Sequence, residues 1–144
     1  MSEPQGAAVD WAAFAQSMGY SDDELTAFRS RPNNEYVVRN AQLLDRWWIV
    51  AVVTEAHGCA AGHRVGEKIC FSASGVLETE NNPSRICISV LASLATSVAL
   101  FQERIISGLE PAPYLYRRVG CLDVGVQCGG WGHVAFELSA VPKE

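Results

Sequence analysis

Trp47-Trp48-Ile49-Val50-Ala51-Val52-Val53-Thr54 is the stretch that decides the fold. Apart from Ala51 it is β-branched and aromatic, with no turn former inside it, and so predicts a buried strand. Downstream, His57-Gly58-Cys59-Ala60-Ala61-Gly62-His63 is a loop of small residues, and Arg64–Ser72 resumes strand character. Ser74-Gly75 marks a turn, and Val76–Thr79 reads as a third, short strand.

The next element is a long helix. Asn82 suits the N-cap and Pro83 the first helical position, where its missing N–H costs nothing. Cys87, Leu91, Leu94, Val98, Phe101 and Ile105 recur at spacings of four and three, a single stripe facing a core, and Gly108 closes the helix. A loop with Pro111 and Pro113 follows, then a short strand at Val119–Val124. A hairpin turn at Gly129-Gly130 comes next, and His133–Val141 is the final strand.

Upstream of Trp47 the pattern is helical. Asp10 caps Trp11–Met18, with Gly19 at its end; Ser21 and Glu24 form a capping box for Asp22–Arg29; Asn34 caps Glu35–Leu44. The expected class is α+β: N-terminal helices packed on a small, mostly antiparallel sheet or partial barrel with one long helix. Residues 1–144 read as one domain. Residues 1–45 form a helical extension, too short to stand as a separate core, and 46–144 form the body.

Hydrophobic residues make up 49% of the 144 and charged residues 19%, which permits a real core and argues against disorder. The formal charge is −5, and Arg117-Arg118 is the only adjacent basic pair, so no nucleic-acid footprint is present. Met1–Asp10 lacks the basic and apolar regions of a signal peptide. Ile86–Leu100 is interrupted by Ser89, Ser93, Thr96 and Ser97, so no membrane span is expected and the setting is cytoplasmic. Five cysteines in such a setting are expected to remain reduced thiols.

Those cysteines carry the chemistry. Cys59 and His63 are separated by three residues in a glycine-flanked turn, so a thiolate and an imidazole can converge on one ion. Cys87 and Cys121 are the expected further ligands, with Asp123, Cys128 or His133 as other candidate ligands, and zinc or iron the expected metal. The same residues also permit a reactive thiolate, with Cys59 or Cys121 as nucleophile and His63 as its base. Cys87, near a helix N-terminus, gains from the helix dipole in its ionised form. Cys70, within a strand, is expected to pack as an inert small hydrophobe. Asp123 is expected to orient His63 or to act as the base. Four glycines among residues 125–132 imply a sharply turning backbone, and Trp131 with Gly130 is expected to hold a small-molecule substrate. No nucleotide-cofactor motif occurs.

At these residues the chain resembles a family of small, uncharacterised bacterial and archaeal proteins with the pattern Cys-x-x-Gly-His-Lys-x-Gly-Asp, then Ile-Cys, then Cys-x-Asp before a strand ending Phe-Glu. The matching residues are Cys59, Gly62, His63, Gly66, Ile86-Cys87, Cys121, Asp123 and Phe136-Glu137, spanning roughly residues 47–140. Arg64 and Glu67 stand where the family has Lys and Asp, and Ile88 replaces a proline. The resemblance implies a shared constellation of Cys59, His63, Cys87, Cys121 and Asp123, and it implies no particular reaction.

The leading expectation is a small-molecule enzyme or catalytic subunit of the lyase, hydratase or hydrolase type, built on a metal ion or a thiolate. A non-catalytic accessory subunit, docking on a larger enzyme through the N-terminal helices and Trp47-Trp48, is the alternative. A thiol redox sensor is a third, and a homodimer is compatible with each.

Overall fold

The computed structural model describes residues 7–144, so part of the stretch read for a signal peptide, Met1–Gly6, lies outside the described residues. Contacts divide the chain into two compact units, Met1–Leu43 and Leu44–Glu144.

The first unit is helical. Helix α1 (Trp11–Met18) is capped by the Asp10 carboxylate, which accepts from the Ala13 amide, and it ends on Gly19 in the left-handed region. Helix α2 (Asp22–Arg29) opens on the expected capping box between Ser21 and Glu24. The two share an aromatic cluster: the rings of Trp11 and Phe14 lie 5.9 Å apart edge to face, those of Phe14 and Phe28 5.2 Å apart, and Tyr20 joins both. Helix α3 (Asn34–Asn40) starts one residue earlier than expected and gives way to a 3₁₀ segment, Ala41–Arg46. Asn34 does not cap it, because its side-chain amide donates back to the Phe28 carbonyl.

The second unit is a four-stranded antiparallel sheet with one long helix. Strands β1 (Trp47–His57), β2 (Lys68–Ser72), β3 (Arg118–Gly120) and β4 (His133–Pro142) lie in the order β2-β1-β4-β3. The class is α+β as expected, and the sheet stays open rather than curling into a partial barrel. Burial along β1 alternates: Ile49, Ala51 and Val53 are buried, whereas Val50 and Val52 are only half-buried. The continuous apolar run is therefore a one-faced strand. Ile69 and Phe71 of β2 and Val134, Phe136 and Leu138 of β4 complete the buried face.

Helix α4 (Ile88–Ile106) lies on that face, in contact with β1, β3 and β4. It buries Val90, Leu94, Ser97, Val98, Phe101 and Ile105, each large apolar side chain contributing roughly 1.5–3 kcal/mol. Its C-terminus closes in a Schellman motif, the Gly108 and Leu109 amides returning to the Ile105 and Arg104 carbonyls. At 19 residues and a mean hydropathy of 1.2, α4 has the length and composition of a membrane span. The stripe buried against the sheet is what a core helix shows.

Three expectations change here. The long helix starts at Ile88 with Cys87 as its N-cap, not at Asn82. Asn82 instead mimics a strand partner: its amide nitrogen donates to the Cys70 carbonyl and its oxygen accepts from the Cys70 amide. This occupies the side chain that would have capped the helix and leaves residues 83–87 non-helical. Residues Arg64–Glu67 form a turn rather than strand, and the expected strand at Val76–Thr79 is a single bridge, Phe71 to Leu77.

Candidate functional site

The antiparallel order brings four chain segments to one end of the sheet: the end of β1, the end of β3, the start of β4 and the start of α4. A β-bulge between Val53 and Glu55 shifts the β1–β4 register and sets His57 opposite His133 at this rim. Between them lies a cavity of about 150 Å³ lined by Cys59, Cys87, Cys121, Asp123, Trp131 and His133, together with small and aliphatic residues.

The β1–β2 loop makes two tight turns, Cys59–Gly62 and Arg64–Glu67. The first presents Cys59 to the cavity. Between the two turns His63 is driven inward to 4% exposure. Its Nδ1 pairs with Glu67 Oε1 at 2.5 Å, and its Nε2 accepts from the Cys87 amide at 3.2 Å. An acceptor Nε2 requires the proton on Nδ1, so His63 donates to Glu67 and both nitrogens are engaged. Glu67 therefore does the orienting that the sequence reading gave to Asp123. The signal was present as His-x-x-x-Glu.

Cys87 occupies the N-cap of α4 in an extended conformation. The Ser89 amide, together with the Val90 amide and the Ser89 hydroxyl, lowers the thiol's pKa against the opposing effect of burial. No capping hydrogen bond of normal geometry closes on the sulfur, so the effect is that of amide dipoles aimed at it. Cys70 shows the reverse: burial raises its pKa, with Lys68 opposing, as suits a neutral packed thiol.

Asp123 organises the glycine-rich loop. Its Oδ1 accepts from the Gly125 and Trp131 amides and its Oδ2 from the Gly132 amide, each at 3.0 Å. These three N–H groups, Gly125 foremost, hold its carboxyl below the usual carboxylate range. A Cβ at Gly130 would stand 2.2 Å from Asp123 Oδ1, and one at Gly132 would stand 2.1 Å from the Gly58 carbonyl oxygen. Both close approaches require glycine. The expected two-residue hairpin turn at Gly129-Gly130 is replaced by a longer loop with a 3₁₀ turn at Val126–Cys128, because the carboxylate gathers the backbone around itself.

His133 was only one of several candidate metal ligands in the sequence. Its Nδ1 lies 2.6 Å from the Asp123 main-chain carbonyl oxygen and therefore donates to it, which leaves the Nε2 lone pair available. Cys121 lies beside it, Sγ to Nδ1 at 3.9 Å, and accepts from the Val134 amide at 3.3 Å. Trp131 stands at the cavity edge with 83% of its surface exposed. Gly130 holds the loop and is not among the lining residues. Cys128 is exposed, and all five cysteines are free thiols.

Among the described residues no group of three or more His, Cys, Asp or Glu side chains is placed to hold a metal ion. The expected set divides: Cys59, Cys87 and Cys121 line the cavity, and His63 sits behind Cys87 with both nitrogens engaged. Compared with protein-family models, curated proteins and solved structures, the chain shows no match.

Proposed function

We propose that the protein is a thiol-dependent small-molecule enzyme of the hydrolase or lyase type, with Cys87 as nucleophile and His133 as proton carrier. One observation carries the reading: a cysteine with a lowered pKa at the N-terminus of a 19-residue helix shares a cavity with an imidazole whose Nε2 is free. The Cys87 thiol gives its proton to His133 Nε2, and the sulfur adds to an electrophilic carbon of the substrate. As the bond to the leaving atom breaks, that atom takes the electron pair and the proton from His133. Water then cleaves the sulfur–carbon bond in a hydrolase. Asp123 takes no proton in this scheme; it shapes the loop and, through its carbonyl, the His133 tautomer. A cytoplasmic setting, which keeps thiols reduced, suits this chemistry.

Zinc or iron is the other use of Cys59, Cys87 and Cys121, which line one cavity; their sulfurs would have to draw together to hold an ion. The deciding experiment is alkylation by iodoacetamide at about pH 6, where an ordinary thiol is almost wholly protonated, with each cysteine followed by peptide mass spectrometry. Cys87 is expected to react faster than the exposed Cys128, and added zinc to leave that rate unchanged. A Cys87 no faster than Cys128 overturns the thiolate reading. Zinc protection of Cys59, Cys87 and Cys121 together moves it to the metal.

A further inference from the structure

We infer that the cavity takes an uncharged, flat, apolar molecule about the size of benzene; this rests on the thiol-site reading and names the class of substrate that site would accept. Size comes first. The cavity measures about 150 Å³, and an apolar protein cavity of about 150 Å³ holds one benzene. Ala60, Ala61, Val90 and Val134 supply aliphatic walls, and Gly58 and Gly132 add backbone that carries no side chain into the space. Trp131 stands at the edge with its ring exposed, placed to cover a planar ligand.

Charge decides the rest. No lysine or arginine lines the cavity, and its one carboxylate, Asp123, has its oxygens engaged by three loop amides. Of the amides at the start of α4 that would attract an anion, Val90 already donates to the Cys87 carbonyl at 3.1 Å and Ser89 acts on the Cys87 thiol. An anionic ligand would meet the Asp123 carboxylate with no lysine or arginine to offset it, the Cys87–His133 pair being neutral overall, and burying an unpaired charge is costly. A cationic ligand would find three of the roughly four acceptor sites of the Asp123 carboxylate already taken by the Gly125, Trp131 and Gly132 amides.

Benzyl alcohol and benzoate differ in charge and hardly in size, and they probe the inference directly. Each is titrated into the isotope-labelled full chain, following the Trp131 indole and the Gly132 and Val90 amides by NMR, in the wild type and in Cys87→Ser. Benzyl alcohol is expected to shift these signals in both proteins and to bind at least about tenfold more tightly than benzoate in the wild type, a difference of roughly 1.4 kcal/mol. Equal binding, tighter binding of benzoate, or no shift at these residues with either probe overturns the inference. The two proposals fail separately. Slow Cys87 alkylation with selective benzyl alcohol binding removes the thiolate and keeps the ligand class, and fast alkylation without that selectivity does the opposite.

Discussion

His63 holds Cys87 by its main chain: Nε2 accepts the Cys87 amide proton at 3.2 Å, and Nδ1 is fixed by Glu67. The bond joins the loop that carries Cys59 to the N-cap of α4. It holds Cys87 in the extended N-cap conformation at the start of α4, where the nearby Ser89 amide lowers the thiol's pKa. A buried imidazole thereby acts on the thiol without touching the cavity.

Replacing His63 by alanine should raise the Cys87 thiol pKa toward its ordinary value and cost about 1–3 kcal/mol of stability, since the Cys87 amide and Glu67 lose their partner. His63→Gln, whose side-chain oxygen can accept the same amide, should recover part of the thiol shift. The pH profile of Cys87 alkylation reads the first effect and urea unfolding the second. An unchanged profile in His63→Ala would show that the helix alone sets the thiol.

Asp123→Asn should loosen the 121–132 loop, because an amide offers one acceptor oxygen where the carboxylate offers two to three N–H groups. The expected readout is faster hydrogen exchange at Gly125, Trp131 and Gly132, with the α4 amides unaffected. The pH dependence follows from the sign of the shift. The folded-state pKa of Asp123 is depressed, so its stabilisation is complete above the ordinary aspartate range and is withdrawn as pH falls through the lowered value. Loop amides should therefore stay protected through the range where ordinary carboxylates titrate. Opening in step with those carboxylates would contradict the assignment.

Asn82→Ala should cost about 2 kcal/mol, about 1 kcal/mol for each of its two bonds to the Cys70 backbone. Exchange should rise at Cys70 and stay unchanged at Val90 and Leu91. Fraying at the start of α4 would restore Asn82 to the capping role its sequence position suggests.

Local signals were legible wherever a short stretch decides its own structure. The Asp10 cap, the Ser21–Glu24 capping box, the strands beginning at Trp47 and His133, and the helical stripe from Leu94 to Ile105 all depend on neighbours within a few residues. The grouping of Cys59, Cys87, Cys121 and Asp123 at one place was what the family resemblance implied, not what their spacing showed. Their division of labour was not legible. Which partner a polar side chain takes depends on what the fold brings opposite it. Asn82 found an open strand edge at Cys70, twelve residues away. Asp123 found its own loop amides, and His63 found Glu67 and the Cys87 main chain. His133 had no motif to mark it and gained a free nitrogen only when the Asp123 carbonyl claimed the other. Periodicity and capping, which act through adjacent turns, determined the elements of this protein; the pairing of β1 with β4 and the seating of α4 on the sheet decided which of its thiols and imidazoles face one cavity and which serve only to hold it.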